Sequence, residues 1–239
     1  VSKTRILVAG IGGVGGYFGG LLSKAFENQN EVDIYFLARG KHLEAIQNQG
    51  LKVAKGAESF VTFPSLATDN PNELPAFDVI LLCTKTYDLI ALLNVLKPCI
   101  TSKTCFLPLV NGVDSVEIIK QNYPENQIIN GCVYIVSRLM APGVVENSGN
   151  IQRLVLGNDG PLTAEAKHLI DLCKQAEIDV VSSETISQLT WEKFIFISPL
   201  ATATTYFNCS VDEVIKNNVT TLEALLKEII QVAKNAGVP

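Results

Sequence analysis

The chain has 239 residues, of which 47% are hydrophobic and 18% charged, and its formal net charge is −5. This length supplies enough apolar material for one large or two modest domains. The acidic balance argues against a general nucleic-acid-binding or anionic-membrane surface.

The six cysteines and two histidines bear on metal sites and cellular location. The cysteines are irregularly spaced and form no His-plus-Cys cluster, so the sequence predicts no metal site. Cys83 and Cys105 lie inside apolar runs, as is typical of reduced core cysteines. The N-terminus has no signal-peptide pattern and no segment has the composition of a membrane span, so we expect a cytoplasmic protein.

In the first two-thirds of the chain, short apolar segments alternate with amphipathic ones. The strand-like segments are TRILVAG, EVDIYFLAR, FDVILLCTK and TCFLPLVNG. They are apolar on both faces, as in buried parallel strands, whereas the segments between them repeat apolar residues at helical spacing. This alternation predicts an α/β fold of the Rossmann type, with a doubly wound parallel sheet.

Later segments depart from this alternation. LKVAKG and ESFVTF predict a small hairpin after the second helix. QIINGCVYIV, PGVVENSG and IQRLVLG predict three strands joined by turns at 141–143 and 148–150, as an antiparallel extension of the sheet. A helix to about Ala176 and a short strand, IDVVSS, are expected to follow.

From Ser183 onward the pattern is helical, with two helices expected. We therefore predict a Rossmann-type domain over residues 1–182 and an all-helical domain over residues 183–239. The second segment is thin for a domain and ends without a closing element, so the helical domain is expected to be incomplete.

Residues 10–15 read Gly-Ile-Gly-Gly-Val-Gly, between the first strand and a helix. In such a G-x-G-x-x-G loop the first glycine permits a tight turn, the second lets the backbone approach a pyrophosphate and the third allows close helix–strand packing. The predicted cofactor-binding residues here are Gly10, Ile11, Gly12, Gly13, Val14 and Gly15. The alternative is a Gly-rich helix packed tightly on the sheet. Three later glycines fit that alternative: Gly16, Gly19 and Gly20.

The end of the second strand indicates NADP(H). It reads Phe-Leu-Ala-Arg-Gly-Lys over residues 36–41 and contains no carboxylate for the ribose 2′-OH of NAD. Arg39 could form a bidentate contact with a 2′-phosphate. Lys41 could assist, although a solvated surface lysine is the simpler interpretation.

Two more polar residues follow predicted strands and are expected at the same edge of the sheet as the glycine loop. Lys85 follows the strand FDVILLCT, and Asn111 follows TCFLPLV. Ligands of doubly wound sheets bind beyond the carboxyl ends of the strands, so both side chains could face the cofactor. Taken singly, Lys85 could be an exposed loop residue and Asn111 a turn residue with left-handed backbone.

Lys193 is the last charged residue before Asp212. Such an isolated charge is usually a lysine that extends from a buried helix to water. The other interpretation is a lysine directed into a closed site. Glu192 points about 100° away around a helix and need not be its partner.

Six segments, in this order, resemble the ketopantoate reductase (2-dehydropantoate 2-reductase) family: GIGGVG, ARGKHLEAIQNQGLKV, LLCTKTYDL, PLVNGVDS, PGVVENSG and TWEKF. The similarity covers nearly the whole chain. Members of that family have an NADP-binding Rossmann-type domain and an all-helical C-terminal domain, with the active site in the cleft between them. They reduce ketopantoate to pantoate on the route to pantothenate and coenzyme A. The resemblance therefore implies an NADP-dependent oxidoreductase.

The resemblance also implies roles for single residues. Arg39 would bind the 2′-phosphate and Lys85 would contact the cofactor. Asn111 would lie between the nicotinamide ribose and the substrate, and Lys193 would be the catalytic lysine. Hydride addition to a ketone builds negative charge on its oxygen, which a lysine ammonium can stabilise and protonate. Desolvation would lower the pKa of such a lysine and ease proton donation.

The chain departs from the family pattern after Lys193. Many members carry asparagines four and eight residues later to hold the substrate, but this chain has Ile197 and Ala201. Ser198 lies on a neighbouring face, so the candidate substrate contacts are Ile197, Ser198 and Ala201. A site without two hydrogen-bonding groups should discriminate poorly for a polar hydroxy-keto acid. The alternatives are therefore a reductase of another branched 2-oxo acid and a non-catalytic NADP-binding protein of the same fold.

The expected partner is a small-molecule 2-oxo acid, with no nucleic acid and no membrane. A homodimer is a possible assembly.

Overall fold

The computed structural model describes residues 3–238. The chain divides into two compact units between Ile186 and Ser187, a few residues after the boundary expected from the sequence. In the first unit the strands are β1 (Thr4–Ala9), β2 (Val32–Leu37), β3 (Leu51–Lys55), β4 (Glu58–Thr62), β5 (Leu66–Thr68), β6 (Val79–Leu82), β7 (Cys105–Pro108), β8 (Asn130–Ala141), β9 (Val144–Gly157) and β10 (Asp179–Ser183). Its α-helices are α1 (Gly13–Phe26), α2 (Gly40–Gln49), α3 (Leu89–Val95), α4 (Ser115–Asn122) and α5 (Ala164–Gln175).

The first sheet is fully parallel, with strand order β5-β2-β1-β6-β7. The chain order therefore reverses between β1 and β6, which is the switch point where ligands of doubly wound sheets bind. The predicted doubly wound sheet is confirmed. Strand β5 was not predicted, because its three residues are too few to show a period.

Strand β1 is buried on both faces. Ile6 and Val8 pack in a cluster with α1 and α2, whereas Leu7 and Ala9 pack on the other face with α3. The continuous apolar run of β1 follows from this double burial, since consecutive side chains of a strand point to opposite faces.

The expected extension takes the form of a second sheet centred on β9. Strand β8 runs antiparallel along β9, and β9 also pairs in parallel with β3 over residues 144–147 and with β10 over residues 153–157. The predicted hairpin of β3 and β4 is confirmed and joins this sheet.

The turn predicted at residues 148–150 was wrong. PGVVENSG and IQRLVLG contribute to one 14-residue strand, β9. The Ser-Gly-Asn residues lie opposite a register shift between Ile135 and Ser137 of β8. Glycine and asparagine here accompany a β-bulge, which uses the same residues as a turn without reversing the chain.

Helix α1 packs between the two sheets. A Cβ atom on Gly19 would lie 3.0 Å from Cγ2 of Val8 in the parallel sheet, and one on Gly20 would lie 2.5 Å from Cγ2 of Val53 in the second sheet. Both glycines therefore serve close packing, as the sequence suggested.

The second unit is helical and contains α6 (Ile186–Phe207), α7 (Val211–Asn217) and α8 (Val219–Asn235). The single helix predicted after residue 211 is broken at Asn218. A capping box between Ser210 and Glu213 begins α7. Ala203, Val214 and Leu222 form the buried centre of this unit. No helix within residues 3–238 combines the length and the apolar character that a membrane crossing requires.

Candidate functional site

The loop between β1 and α1 gives its glycines different tasks. Gly10 has a φ of +99°, which favours glycine. A Cβ atom on Gly15 would lie 2.1 Å from the backbone oxygen of Gly10, so Gly15 is required for the helix to start so close to the strand. A Cβ atom on Gly12 would meet no described atom within 4 Å. The surface at Gly12 is therefore open to a ligand.

The first turn of α1 suits an anion. The N-cap residue of the helix is Gly12, which has no side chain to accept a hydrogen bond from the first-turn N–H groups. The first turn also contains no acidic residue. Its backbone N–H groups and the positive end of the helix dipole are thus available to phosphate oxygens. The loop therefore fits the pyrophosphate of a dinucleotide.

The other predicted residues of the loop are packed against protein. The side chain of Ile11 is buried in the core, which leaves its backbone as the group that could meet a ligand. A Cβ atom on Gly13 would lie 2.3 Å from the backbone oxygen of Ser137, so this glycine allows β8 to cross the helix start. Val14 is half-buried and packs against the core.

Arg39 stands at the carboxyl end of β2. It is the exposed N-cap residue of α2, and neither it nor Lys41 is paired with a described carboxylate. An unpaired guanidinium beside a helix N-terminus can bind a phosphate in two parallel hydrogen bonds. The structure thus presents cationic groups at the strand end where the sequence predicted them.

Lys85 and Asn111 follow the next two strands of the sheet, β6 and β7. Both residues are exposed, and the hydroxyl of Thr86 donates a 2.7 Å hydrogen bond to the backbone oxygen of Asn111. This bond ties the loop after β6 to the loop after β7. Gly112, which follows Asn111, has a φ of +111°, a conformation that favours glycine.

Sequence reasoning missed two threonines at this edge of the sheet. Thr86 joins the two loops, and Thr84 lies beside the glycine loop, with its Cγ2 atom 3.0 Å from the Cβ position of Gly10. The Thr84 hydroxyl is buried and has no hydrogen-bond partner in the described part of the chain. The available signal was their position on either side of Lys85, directly after a buried strand.

Cys83 forms a wall of the same region. Its Cβ atom lies 2.8 Å from the Cβ position of Gly15. Burial raises the pKa of Cys83 to about 12, so its thiol is protonated at neutral pH. Cys83 packs against the helix start.

The structure groups the predicted residues in two sets. The glycine loop, Arg39, Lys85 and Asn111 all lie at the carboxyl ends of strands in the first unit. The second set lies on α6 of the second unit and comprises Lys193, Ile197, Ser198 and Ala201.

On α6, Lys193, Ile197 and Ser198 are half-buried and Ala201 is exposed. Glu192 accepts a 2.9 Å hydrogen bond from Gln188, one turn earlier on the helix. Within residues 3–238 no group of three or more His, Cys, Asp or Glu side chains could hold a metal ion.

Comparison with known proteins assigns the family. Residues 6–160 match the family described as Ketopantoate reductase PanE/ApbA. Residues 185–239 match its C-terminal part, described as Ketopantoate reductase PanE/ApbA C terminal. The chain belongs to the ketopantoate reductase family.

Several known proteins are similar to this chain over most of their length. An uncharacterized oxidoreductase, YkpB, of Bacillus subtilis is 31% identical over 98% of this chain and 76% of its own. A 2-dehydropantoate 2-reductase of Streptococcus pyogenes is 26% identical over 98% of this chain and 75% of its own. The crystal structure of 2-dehydropantoate 2-reductase from Porphyromonas gingivalis superposes with a TM-score of 0.93 at 34% identity, covering 100% of this chain and 85% of the other. The family is one of oxidoreductases, and the fold is that of its members.

Proposed function

We propose that the protein reduces a 2-oxo acid with NADPH, and that the acid is 2-dehydropantoate (ketopantoate), reduced to pantoate for pantothenate and coenzyme A synthesis. One observation carries the proposal: a glycine loop, open to a ligand at Gly12, lies at the switch point of the sheet in a ketopantoate reductase family member. The names of the Streptococcus and Porphyromonas relatives support this substrate.

In this proposal residues 1–182 bind the cofactor, and residues 183–239 belong to the substrate-binding domain. Residues 10–15 would hold the pyrophosphate, Arg39 the 2′-phosphate, and Lys85 and Asn111 the part of the cofactor nearer the nicotinamide. Bound NADPH supplies the hydride. The free guanidinium of Arg39, at a strand end without a carboxylate, supports NADPH over NADH.

Lys193 is the proposed general acid. Its ammonium would stabilise negative charge on the substrate carbonyl oxygen and donate the proton that makes the product hydroxyl. The half-buried position of Lys193 on α6 supports this role, because partial removal of water strengthens its interaction with a developing oxyanion. Asn111 would orient the substrate beside the nicotinamide.

The residues that follow Lys193 favour one alternative substrate class. Ile197 and Ala201 offer no hydrogen bond at the positions where many family members carry asparagine. A branched 2-oxo acid without a hydroxyl, such as 2-oxoisovalerate, needs no hydrogen bond from these two positions. Ketopantoate would leave its hydroxyl without these partners.

A steady-state assay of NADPH oxidation tests the proposal. We expect turnover of both acids, with a higher kcat/KM for ketopantoate than for 2-oxoisovalerate. The I197N variant, which restores one polar group, should raise the preference for ketopantoate. If 2-oxoisovalerate is preferred, the alternative substrate class holds.

The K193A variant tests the assignment of the acid. Loss of a general acid lowers kcat by about 10²–10⁴, while the Kd of NADPH should not change. K193R is the matched control, because it keeps the charge but cannot donate a proton near neutral pH. A protein that binds NADPH but turns over no 2-oxo acid, with or without Lys193, would be the non-catalytic member considered above.

A further inference from the structure

His42 connects the start of α2 to a distant turn. It lies in the first turn of α2, close behind Arg39. The backbone N–H of Gly143 donates a 2.8 Å hydrogen bond to Nδ1 of His42 across 101 residues of sequence. Gly143 stands in the turn between β8 and β9, where it adopts a φ of +75°.

The hydrogen bond determines the state of the imidazole. Since Nδ1 accepts a hydrogen bond from a backbone N–H, the ring is neutral and carries its proton on Nε2. Burial lowers the pKa of His42 below its ordinary value, and an interaction with the backbone of Ile11 only partly opposes this. Nε2 is itself buried and makes no well-formed hydrogen bond within residues 3–238.

The turn that His42 engages is held firmly. The backbone oxygen of Gly143 accepts a 2.8 Å hydrogen bond from Lys52 of β3. A Cβ atom on Gly143 would lie 2.9 Å from Cβ of Ala45, so the turn packs directly on α2. His42 therefore joins α2 to the second sheet on one side and meets the glycine loop at Ile11 on the other.

We propose that His42 is a positioning residue for the cofactor. Its neutral ring anchors the first turn of α2, which carries Arg39, at a set place beside the glycine loop. Because α2 has no side-chain N-cap bond of its own, this anchor restrains the helix end where the 2′-phosphate would bind. This inference rests on the proposed use of NADPH.

Substitutions at His42 separate the roles of the ring. The H42L variant removes the acceptor and leaves the Gly143 N–H buried without a partner. The H42N variant keeps an acceptor, since Oδ1 of asparagine can stand where Nδ1 stands. The H168L variant is the matched control, because His168 is the other histidine of the chain and is exposed on α5.

The readouts are the Kd values of NADPH and NADH by isothermal titration calorimetry, with Tm as a measure of folding. In H42L we expect the Kd of NADPH to rise about tenfold and that of NADH to rise much less. H42N should bind NADPH nearly as the wild type does, and H168L should be unchanged. If H42L does not fold, a comparison of H42N with H42Q replaces it, because the longer glutamine cannot place its oxygen at the Nδ1 position.

Three results would overturn the inference: an unchanged Kd of NADPH in H42L, an equal loss for both cofactors, or no recovery in H42N. Failure of the proposed function is recognised separately, because the wild type would then not bind NADPH. That result would contradict both the proposed function and the positioning role of His42.

Discussion

A Cβ atom on Gly16 would lie 2.5 Å from Cγ2 of Val145. Helix α1 therefore approaches β9 at a distance that only glycine permits. The preceding residue, Gly15, permits the close approach of the same helix to the end of β1. Successive glycines of α1 thus serve different sheets. The segment 10–20 is a packing element as well as a ligand-binding loop.

This division of tasks predicts opposite effects for two substitutions. G12A should leave Tm unchanged, because its Cβ meets no described atom within 4 Å, but should weaken NADPH binding. G16A should destabilise the fold by about 1–3 kcal/mol, since overpacking forces neighbours to move. Differential scanning calorimetry and NADPH titration of both variants check this. A destabilised G12A with normal binding would contradict the assignment.

The charge of Arg39 should decide between the two cofactors. A hydrogen-bonded charge contributes about 1.5–3 kcal/mol, so R39Q should raise the Kd of NADPH by about 10-fold to 150-fold. The Kd of NADH should hardly change, because that cofactor has no 2′-phosphate. K41Q is the control for a general loss of positive charge. If K41Q has the larger effect, Lys41 is the main phosphate ligand.

Three cysteines should be unreactive in the native protein. Burial raises the pKa values of Cys83, Cys105 and Cys173 to about 12. Few thiolates are present at pH 8, so reaction with a disulfide reagent should require unfolding. An absorbance assay of the thiol–disulfide reaction, run with and without guanidinium, compares the native with the unfolded protein. Rapid modification of Cys83 in the native state would show that the strand end beside Gly15 opens.

The lowered pKa of His42 predicts a pH-dependent stability. The unfolded chain binds a proton on His42 more readily than the folded chain does, so folding is favoured above the ordinary histidine pKa of about 6.5. Unfolding free energy should fall as the pH drops below this value. Urea unfolding of the wild type and H42N between about pH 5 and pH 7 isolates this contribution. Equal slopes in the two proteins would contradict it.

The parallel sheet was predictable because its strands are long apolar runs next to amphipathic helices. The strand ends that carry Arg39, Lys85 and Asn111 were predictable for the same reason, since each polar residue follows directly on such a run. Asn218 was not recognised as a helix break, because the apolar spacing of α8 begins close behind α7. The roles of Thr84, Thr86 and His42 depend on contacts that no local pattern records.

Sequence alone determined the G-x-G-x-x-G loop, the lack of a carboxylate after β2 and the family resemblance. Each of these is recorded in a short contiguous segment, because local backbone conformation and burial restrict which residues can follow one another. Tertiary structure decided what the loop is packed against. The second sheet, the continuity of β9 and the hydrogen bond from Gly143 to His42 join segments far apart in the chain. Such contacts depend on the global fold, so only the folded chain distinguishes Gly12, which is open, from Gly13, which is covered by Ser137.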